Sequence, residues 1–227
     1  FICADYAQHE LRILAAITGD KAMLDTFAAD GDPHRQTAAS SLNKAPEDVT
    51  DEERNMAKAI NFGIVYGQTP IGMAEFALNK FNVTIDDPGQ KLEAFFQNHP
   101  EISDWYNRCK QEARTGSTET RTRIGRRRLM PADEEFSTRH RRLMNSPIQG
   151  GAADAFKEAM ILVHHRLPEG AKLVHCIHDE LIVECATAQA AIVRNILETS
   201  MLEAMTKMFP EVKAKVETTS AEYWGDK

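Results

Sequence analysis

Two apolar strands that end in acids, far apart along the chain, constrain this fold more than any other feature. The first is FICAD, closing on Asp5. The second lies in KLVHCIHDELIVE, where Asp179 and Glu180 sit between two apolar runs. Runs of Val, Ile and Leu are where a chain builds a core, and ionised carboxylates are expensive to bury there. Taken alone, IHDE also suits a solvated hairpin tip and Asp5 suits a helix cap, because Asp is common in both settings. The order of the elements favours a joint role. A strand comes first, then many helices, a hairpin around Asp179, a helix over about 188–208 and an alternating run, EVKAKVETT. That order predicts an α+β fold, a small antiparallel sheet of about four strands with a large helical insertion between them. One sheet would bring Asp5 to Asp179 although 174 positions separate them. Two aspartates meeting at strand ends make an all-oxygen site suited to Mg²⁺, which takes one or two carboxylates together with substrate phosphates.

The helices announce their ends. LRILAAITGD reads as a helix stopped at Gly19, and Thr50 with Glu53 forms a capping-box pattern before RNMAKAINFGIVYG. Ser146-Pro147 reads as another start, with Ser at the N-cap and Pro at the first helical position. Its helix repeats apolar residues at Ile148, Ala152, Ala155, Ala159, Met160 and Val163 before PEG ends it.

In RNMAKAINFGIVYG, Arg54, Lys58, Phe62 and Tyr66 recur every four residues. On a helix they form a ladder about 18 Å long at about 1.5 Å per residue. Two cations followed by two aromatics suit a ligand with polyphosphate at one end and a flat ring at the other, as in a nucleoside triphosphate. No glycine-rich phosphate loop of the P-loop type occurs, so phosphate contact would fall to these side chains. The alternative is a surface helix with two buried aromatics.

Composition narrows the class. The 227 residues are 42% hydrophobic and 27% charged, which is ordinary for a globular chain, and no apolar run nears the roughly 20 residues of a membrane span. The start has no basic region or cleavage site resembling a signal peptide. Cys3, Cys109, Cys176 and Cys185 form no CxxC pair, and they read as reduced core thiols. A net charge of −7 argues weakly against a polyanion partner, yet eight arginines fall between Arg121 and Arg142. Such a stripe can bind phosphates on an acidic chain, unless it is simply a solvated face.

DYAQHELR, RNMAKAINFGIVYG and IHDE resemble motifs A, B and C of the family A DNA polymerases, in the right order, with NSPIQGG matching a similar Asn-x-Pro-x-Gln-Gly stretch. The resemblance covers essentially the whole chain and implies a right-hand polymerase. Residues 1–20 would be palm with motif A, 21–115 fingers, and 116–227 palm with the DNA-contacting stripe and motif C. It implies that Asp5 and Asp179 hold two Mg²⁺ ions, with the backbone carbonyl of Tyr6 as a further ligand, and that Glu180 tunes the site. Arg54, Lys58 and His34 would grip the dNTP triphosphate, with Lys58 also protonating the leaving group. Gln8 and Glu10 would line the nucleotide site, Glu10 as the gate against a ribose 2′-hydroxyl. Phe62 would lie against the incoming sugar and base, and Tyr66 near the template base.

Arg126, Arg127 and Arg128 would contact the primer–template backbone. Arg141, Asn145 and Gln149 would reach its minor groove, where degenerate acceptors report pairing geometry rather than sequence. His178 would lie near the primer terminus. Position 9 is His where the family usually has an aliphatic residue, and the tail AEYWGDK is only loosely like the family's. The thumb, the rest of the palm and often a 3′–5′ exonuclease precede motif A in the family. A tightly bound N-terminal fragment is therefore expected as partner, with no membrane involved. The setting would be the cytoplasm of a bacterial or phage-infected cell, or an organelle. Two rivals remain open: a single-subunit RNA polymerase, and a non-catalytic DNA-binding fragment.

Overall fold

The computed structural model of the chain describes residues 1–224. The last three residues of the AEYWGDK tail lie outside them. The chain forms two compact units, one of residues 1–9 with 151–227 and one of residues 10–150. These boundaries fall at 9/10 and 150/151.

The first unit is built on an antiparallel sheet. Strand β1 (Ile2–Tyr6) lies between β5 (Glu180–Glu184) and β6 (Val216–Ser220), and β4 (Lys172–Ile177) forms the outer edge beside β5, giving the order β4-β5-β1-β6. The register is specific: Ile2, Cys3, Ala4 and Asp5 stand opposite Val183, Ile182, Leu181 and Glu180. Both faces of the central strands are buried, from Ile2 and Ala4 to Leu181, Ile182 and Val183. Helix α9 (Ala190–Met208) packs on β1 and β6. It covers them with a buried row of Val193, Leu197, Met201 and Met205. Strand β6 is shorter than EVKAKVETT suggests, because β1 offers it partners only from Ile2 to Tyr6.

The second unit is helical. It holds α2 (Lys21–Ala28), α3 (Pro33–Leu42), α4 (Asp51–Val65), α5 (Pro70–Phe81), α6 (Pro88–Asn98) and α7 (Pro100–Arg114). Helix α1 (His9–Thr18) ends where Gly19 turns left-handed at φ 73°, a conformation that penalises any side chain. The capping box of α4 is present in full, with Thr50 Oγ1 accepting from Glu53 N–H and the Glu53 carboxylate accepting from Thr50 N–H.

Three sequence expectations need correction. Ser146-Pro147 starts no helix, because α8 runs unbroken from Phe136 to Arg166 with Pro147 inside it. An interior proline loses one backbone hydrogen bond and costs about 3 kcal/mol. The flanking turns offset this by burying Leu143, Met144 and Ile148, each worth roughly 1.5–3 kcal/mol. Ser146 is not a cap either; its hydroxyl accepts from Arg128 Nη1 at 3.1 Å. The cysteines are not all core thiols. Cys3 and Cys109 are buried, but Cys176 on the edge strand is exposed and Cys185 half-exposed. Finally, the arginine stripe is not one face. Arg139 is buried and donates to the carbonyls of Ala113, Pro131 and Ala132, while Arg142 pairs with Glu134.

Candidate active site

The carboxylate cluster of the first unit follows from strand register. Asp5 and Glu180 are direct partners across β1 and β5, and partners in an antiparallel pair project to the same face about 4.5–5.5 Å apart. Asp179 is the next residue back, in the two-residue turn that His178 opens with a left-handed φ of 55°. On the other flank, Asp5 faces Glu217 of β6. The sheet thus brings together Asp5, Asp179 and Glu180, which the sequence separates. Glu180 is buried at 6% exposure, and Asp5 and Asp179 are half-buried.

Both oxygens of Asp179 face imidazoles. His178 Nδ1 lies 2.7 Å from Oδ1, and His9 Nδ1 lies 3.8 Å from Oδ2. His9 is stacked on the Tyr6 ring, 4.2 Å between centroids, and the Tyr6 hydroxyl donates to the Met201 carbonyl at 2.7 Å. Burial, with the nearby Asp179 charge, pushes the Tyr6 hydroxyl well above its usual range, so Tyr6 stays neutral and anchors β1 to α9. Among the described residues no three His, Cys, Asp or Glu side chains form a ready-made metal cage. The donor set is instead hard carboxylates at neighbouring strand ends. That suits Mg²⁺, which completes its octahedron with water and phosphate oxygens.

The second unit carries the ladder. On α4, Ala57, Ile60, Ile64 and Val65 are buried, while Arg54, Lys58, Phe62 and Tyr66 share the half-exposed face. The stripe therefore faces outward rather than into the core. Its rungs are held at rest by neighbours. Arg54 Nε donates to Asp32 Oδ2 at 2.6 Å, and Lys58 Nζ sits 5.4 Å over the Phe81 ring. Phe62 and Tyr66 stack at 5.9 Å. Tyr66 itself caps the helix, its N–H bonded to the Phe62 carbonyl.

Asp32 does two tasks. It caps α3 by accepting from the N–H groups of His34 and Arg35, and it holds Arg54. Burial alone would raise its carboxyl, but the Arg54 guanidinium and the backbone N–H groups outweigh this and hold it below the usual range.

His34 is buried at 2% exposure, and burial pushes its pKa down to about 4, so the ring is neutral at pH 7. Its Nδ1 lies 2.9 Å from Asn61 Nδ2, while Asn61 Oδ1 accepts from the Thr37 hydroxyl. An amide nitrogen can only donate, so Nδ1 is the acceptor and the proton resides on Nε2. His34 therefore offers one N–H and no charge. Asn61 was missed by sequence reasoning. Its signal was a lone amide among Ala57, Ile60 and Ile64 on the buried face.

The arginines at 126–128 stand on a hairpin that sequence reasoning also missed, β2 (Glu119–Arg121) with β3 (Arg127–Leu129), turned through Gly125. All three are exposed. Arg126 donates to the Gly150 carbonyl and Arg127 pairs with Glu119. Arg141, Asn145 and Gln149 recur every four residues along α8 and so share one stripe. A cavity of about 280 Å³ is lined by Tyr66, Arg128, Thr138, Arg141, Arg142 and Asn145, joining the end of the ladder to the arginine stripe. Gly67 makes that junction close, because a Cβ there would lie 3.1 Å from the Arg141 Cα and its φ is 60°. Gln8 is left-handed and half-exposed, and Glu10, in the first turn of α1, is buried at 6% exposure.

The chain is similar to several known proteins. The chain is 40% identical to DNA polymerase I of Aquifex aeolicus over 231 residues, covering 99% of this chain and 39% of that protein. It is 36% identical to DNA polymerase I of Geobacillus stearothermophilus, covering 91% of this chain and 24% of that protein. The chain thus spans well under half the length of these relatives. Its fold matches the POL domain of Pol1 from M. smegmatis, solved in complex with DNA primer-template and dNTP. The TM-score is 0.85 at 26% identity, over 98% of this chain and 39% of that one. No described helix is long and apolar enough to cross a membrane. The family model for DNA polymerase family A matches residues 1–226, and the chain belongs to that family.

Proposed function

We propose that the protein is a template-directed DNA polymerase that adds deoxynucleotides to a primer 3′-hydroxyl in DNA replication or repair. The observation that carries this is the register that sets Asp5 against Glu180, with Asp179 beside them at the strand ends. Metal dependence is general to the family. Asp5, Asp179 and the Tyr6 carbonyl would hold two Mg²⁺ ions, which, when bound, supply positive charge at the attacking hydroxyl and the leaving pyrophosphate. The ladder does the positioning. Arg54 exchanges its Asp32 partner for phosphate oxygens, Lys58 offers a second cation and a proton for the leaving group, and neutral His34 donates from Nε2. Phe62 and Tyr66 present flat faces to the incoming base and the template base.

Buried Glu10 fills the volume a 2′-hydroxyl would need, while Gln8 lines the same nucleotide site. Arg126, Arg127 and Arg128 take backbone phosphates, Arg141, Asn145 and Gln149 the minor groove, and His178 the primer terminus. The relatives' greater length supports further polypeptide, with thumb, remaining palm and an exonuclease in some members, acting with this chain. Their bacterial sources support a cytoplasmic setting.

The test is Asp179→Asn in the full-length protein, which keeps the side-chain shape and removes one charge. Nucleotide addition should fall by about 10³-fold while primer–template affinity changes by less than about threefold. A variant that extends primers within tenfold of the parent would sink the assignment.

A further inference from the structure

His9 is used by none of the roles above, yet it is buried at 3% exposure against the proposed metal carboxylate. Three observations fix what it does. Its ring is stacked face to face on Tyr6, with 24° between the planes, in a site with almost no exposure. Tyr6 is itself tied to the α9 backbone through its hydroxyl. From that ring Nδ1 faces Asp179 Oδ2 at 3.8 Å, too long for a hydrogen bond but close enough for a polar contact in a nearly dry pocket. The other oxygen, Oδ1, meets His178, which is two-thirds exposed and sits in a turn. One side of the carboxylate thus has an exposed partner and the other a buried one.

We propose that His9 is a positioning residue for Asp179: its stacked imidazole fixes the orientation of the carboxylate, so that the strand-end pair with Asp5 is aligned before a divalent cation arrives. Groups behind a ligand that fix its orientation are worth about 10–100-fold in metal affinity. This rests on the metal-binding reading of Asp179 given above, and it goes further by naming the group that sets the ligand's angle. An apolar ring in the same slot would keep the packing and lose the function, because the contact is made by the nitrogen.

The experiment measures Mn²⁺ binding by electron paramagnetic resonance. The full-length protein is held on a dideoxy-terminated primer–template with the matching dNTP, so no turnover occurs. His9→Phe keeps an aromatic ring on Tyr6 and removes Nδ1, and its affinity for Mn²⁺ should fall about tenfold with unchanged melting. His9→Asn returns a nitrogen to the δ position and should recover to within about threefold of the parent. In steady state, the His9→Phe rate should return to within about threefold of the parent at saturating Mg²⁺, since only the alignment is lost. If His9→Phe does not fold, His9→Leu removes the nitrogen in a smaller apolar shape and decides the same point. Parent-like Mn²⁺ affinity in the apolar variant, or equal losses in it and in His9→Asn, would overturn the proposal. Asp179→Asn separates the two levels. If it abolishes Mn²⁺ binding while the apolar variant binds normally, only the role of His9 fails. If it leaves Mn²⁺ binding intact, the metal reading fails and takes this inference with it.

Discussion

Acid should weaken the second unit through buried His34, with His140 shifted the same way. The His34 ring is buried and its pKa is driven down to about 4, chiefly by burial, with Asp32 pulling the other way and the cations Arg54 and Lys58 adding to the depression. In the unfolded chain a histidine takes up its proton near pH ~6.5. Between those two values the unfolded state binds the proton and the folded state does not, so folding is penalised as pH falls. The contribution is complete above about pH 6.5, is lost progressively down to about pH 4, and changes no further below that. A depression of this size corresponds to about 3 kcal/mol, since each pKa unit is worth roughly 1.4 kcal/mol. Two measurements check it. Histidine-selective NMR should find the His34 ring still neutral at pH 5, and denaturant unfolding of the parent should lose stability between pH 7 and 4.5. His34→Gln, which has no proton to gain, should lose about 2 kcal/mol less over the same interval, the part of the effect that falls between those two pH values. A His34 that titrates near pH ~6.5, or a His34→Gln protein with the parent's pH slope, would refute the reasoning.

Three further outcomes are expected. Glu10→Ala should lower the ratio of kcat/KM for dGTP to that for GTP by roughly 10²–10³-fold, and an unmoved ratio removes Glu10 as the gate. Gly67→Ala must place a side chain at φ 60° and 3.1 Å from the Arg141 backbone, so it should cost about 1–3 kcal/mol, read as a drop in melting temperature. Arg127→Ala, on the exposed hairpin, should weaken primer–template binding alike for all sequences and reduce the salt slope by about one counterion; a sequence-dependent loss would contradict a backbone contact.

Much of the frame could be read from residues alone. The acid-ended strands, the stop at Gly19, the capping box at Thr50 and the four-residue spacing of the ladder are local patterns, and local patterns have local causes. What escaped depends on partners distant in sequence. Pro147 reads as a start until the packing of Leu143, Met144 and Ile148 and the bond from Arg128 to Ser146 are known. The arginine run 126–128 hides a hairpin because arginine carries little strand signal, and Arg139 looks like its neighbours although it is buried on three carbonyls. The ladder spacing gave the rungs one face but not their resting partners, Asp32 for Arg54 and Phe81 for Lys58. Cys176 and Cys185 have apolar sequence neighbours, yet both lie on or beside strands with exposed surface.

The pairing of β1 with β5 also sets which changes in chain length the protein can survive. Side chains alternate faces along a strand, so one extra residue between Cys3 and Asp5 would turn Asp5 to the opposite side of the sheet. Such an insertion would remove the carboxylate from its cluster as thoroughly as a substitution, while leaving every functional residue present in the sequence. The connections around the sheet are under no such parity rule. The stretch between Glu184 and α9 and the one between α9 and β6 can lengthen by one residue or several without moving either acid. Natural variation in length should therefore collect in those connections and be absent from the five residues of β1, and a screen of single-residue insertions across the chain would read out that boundary directly.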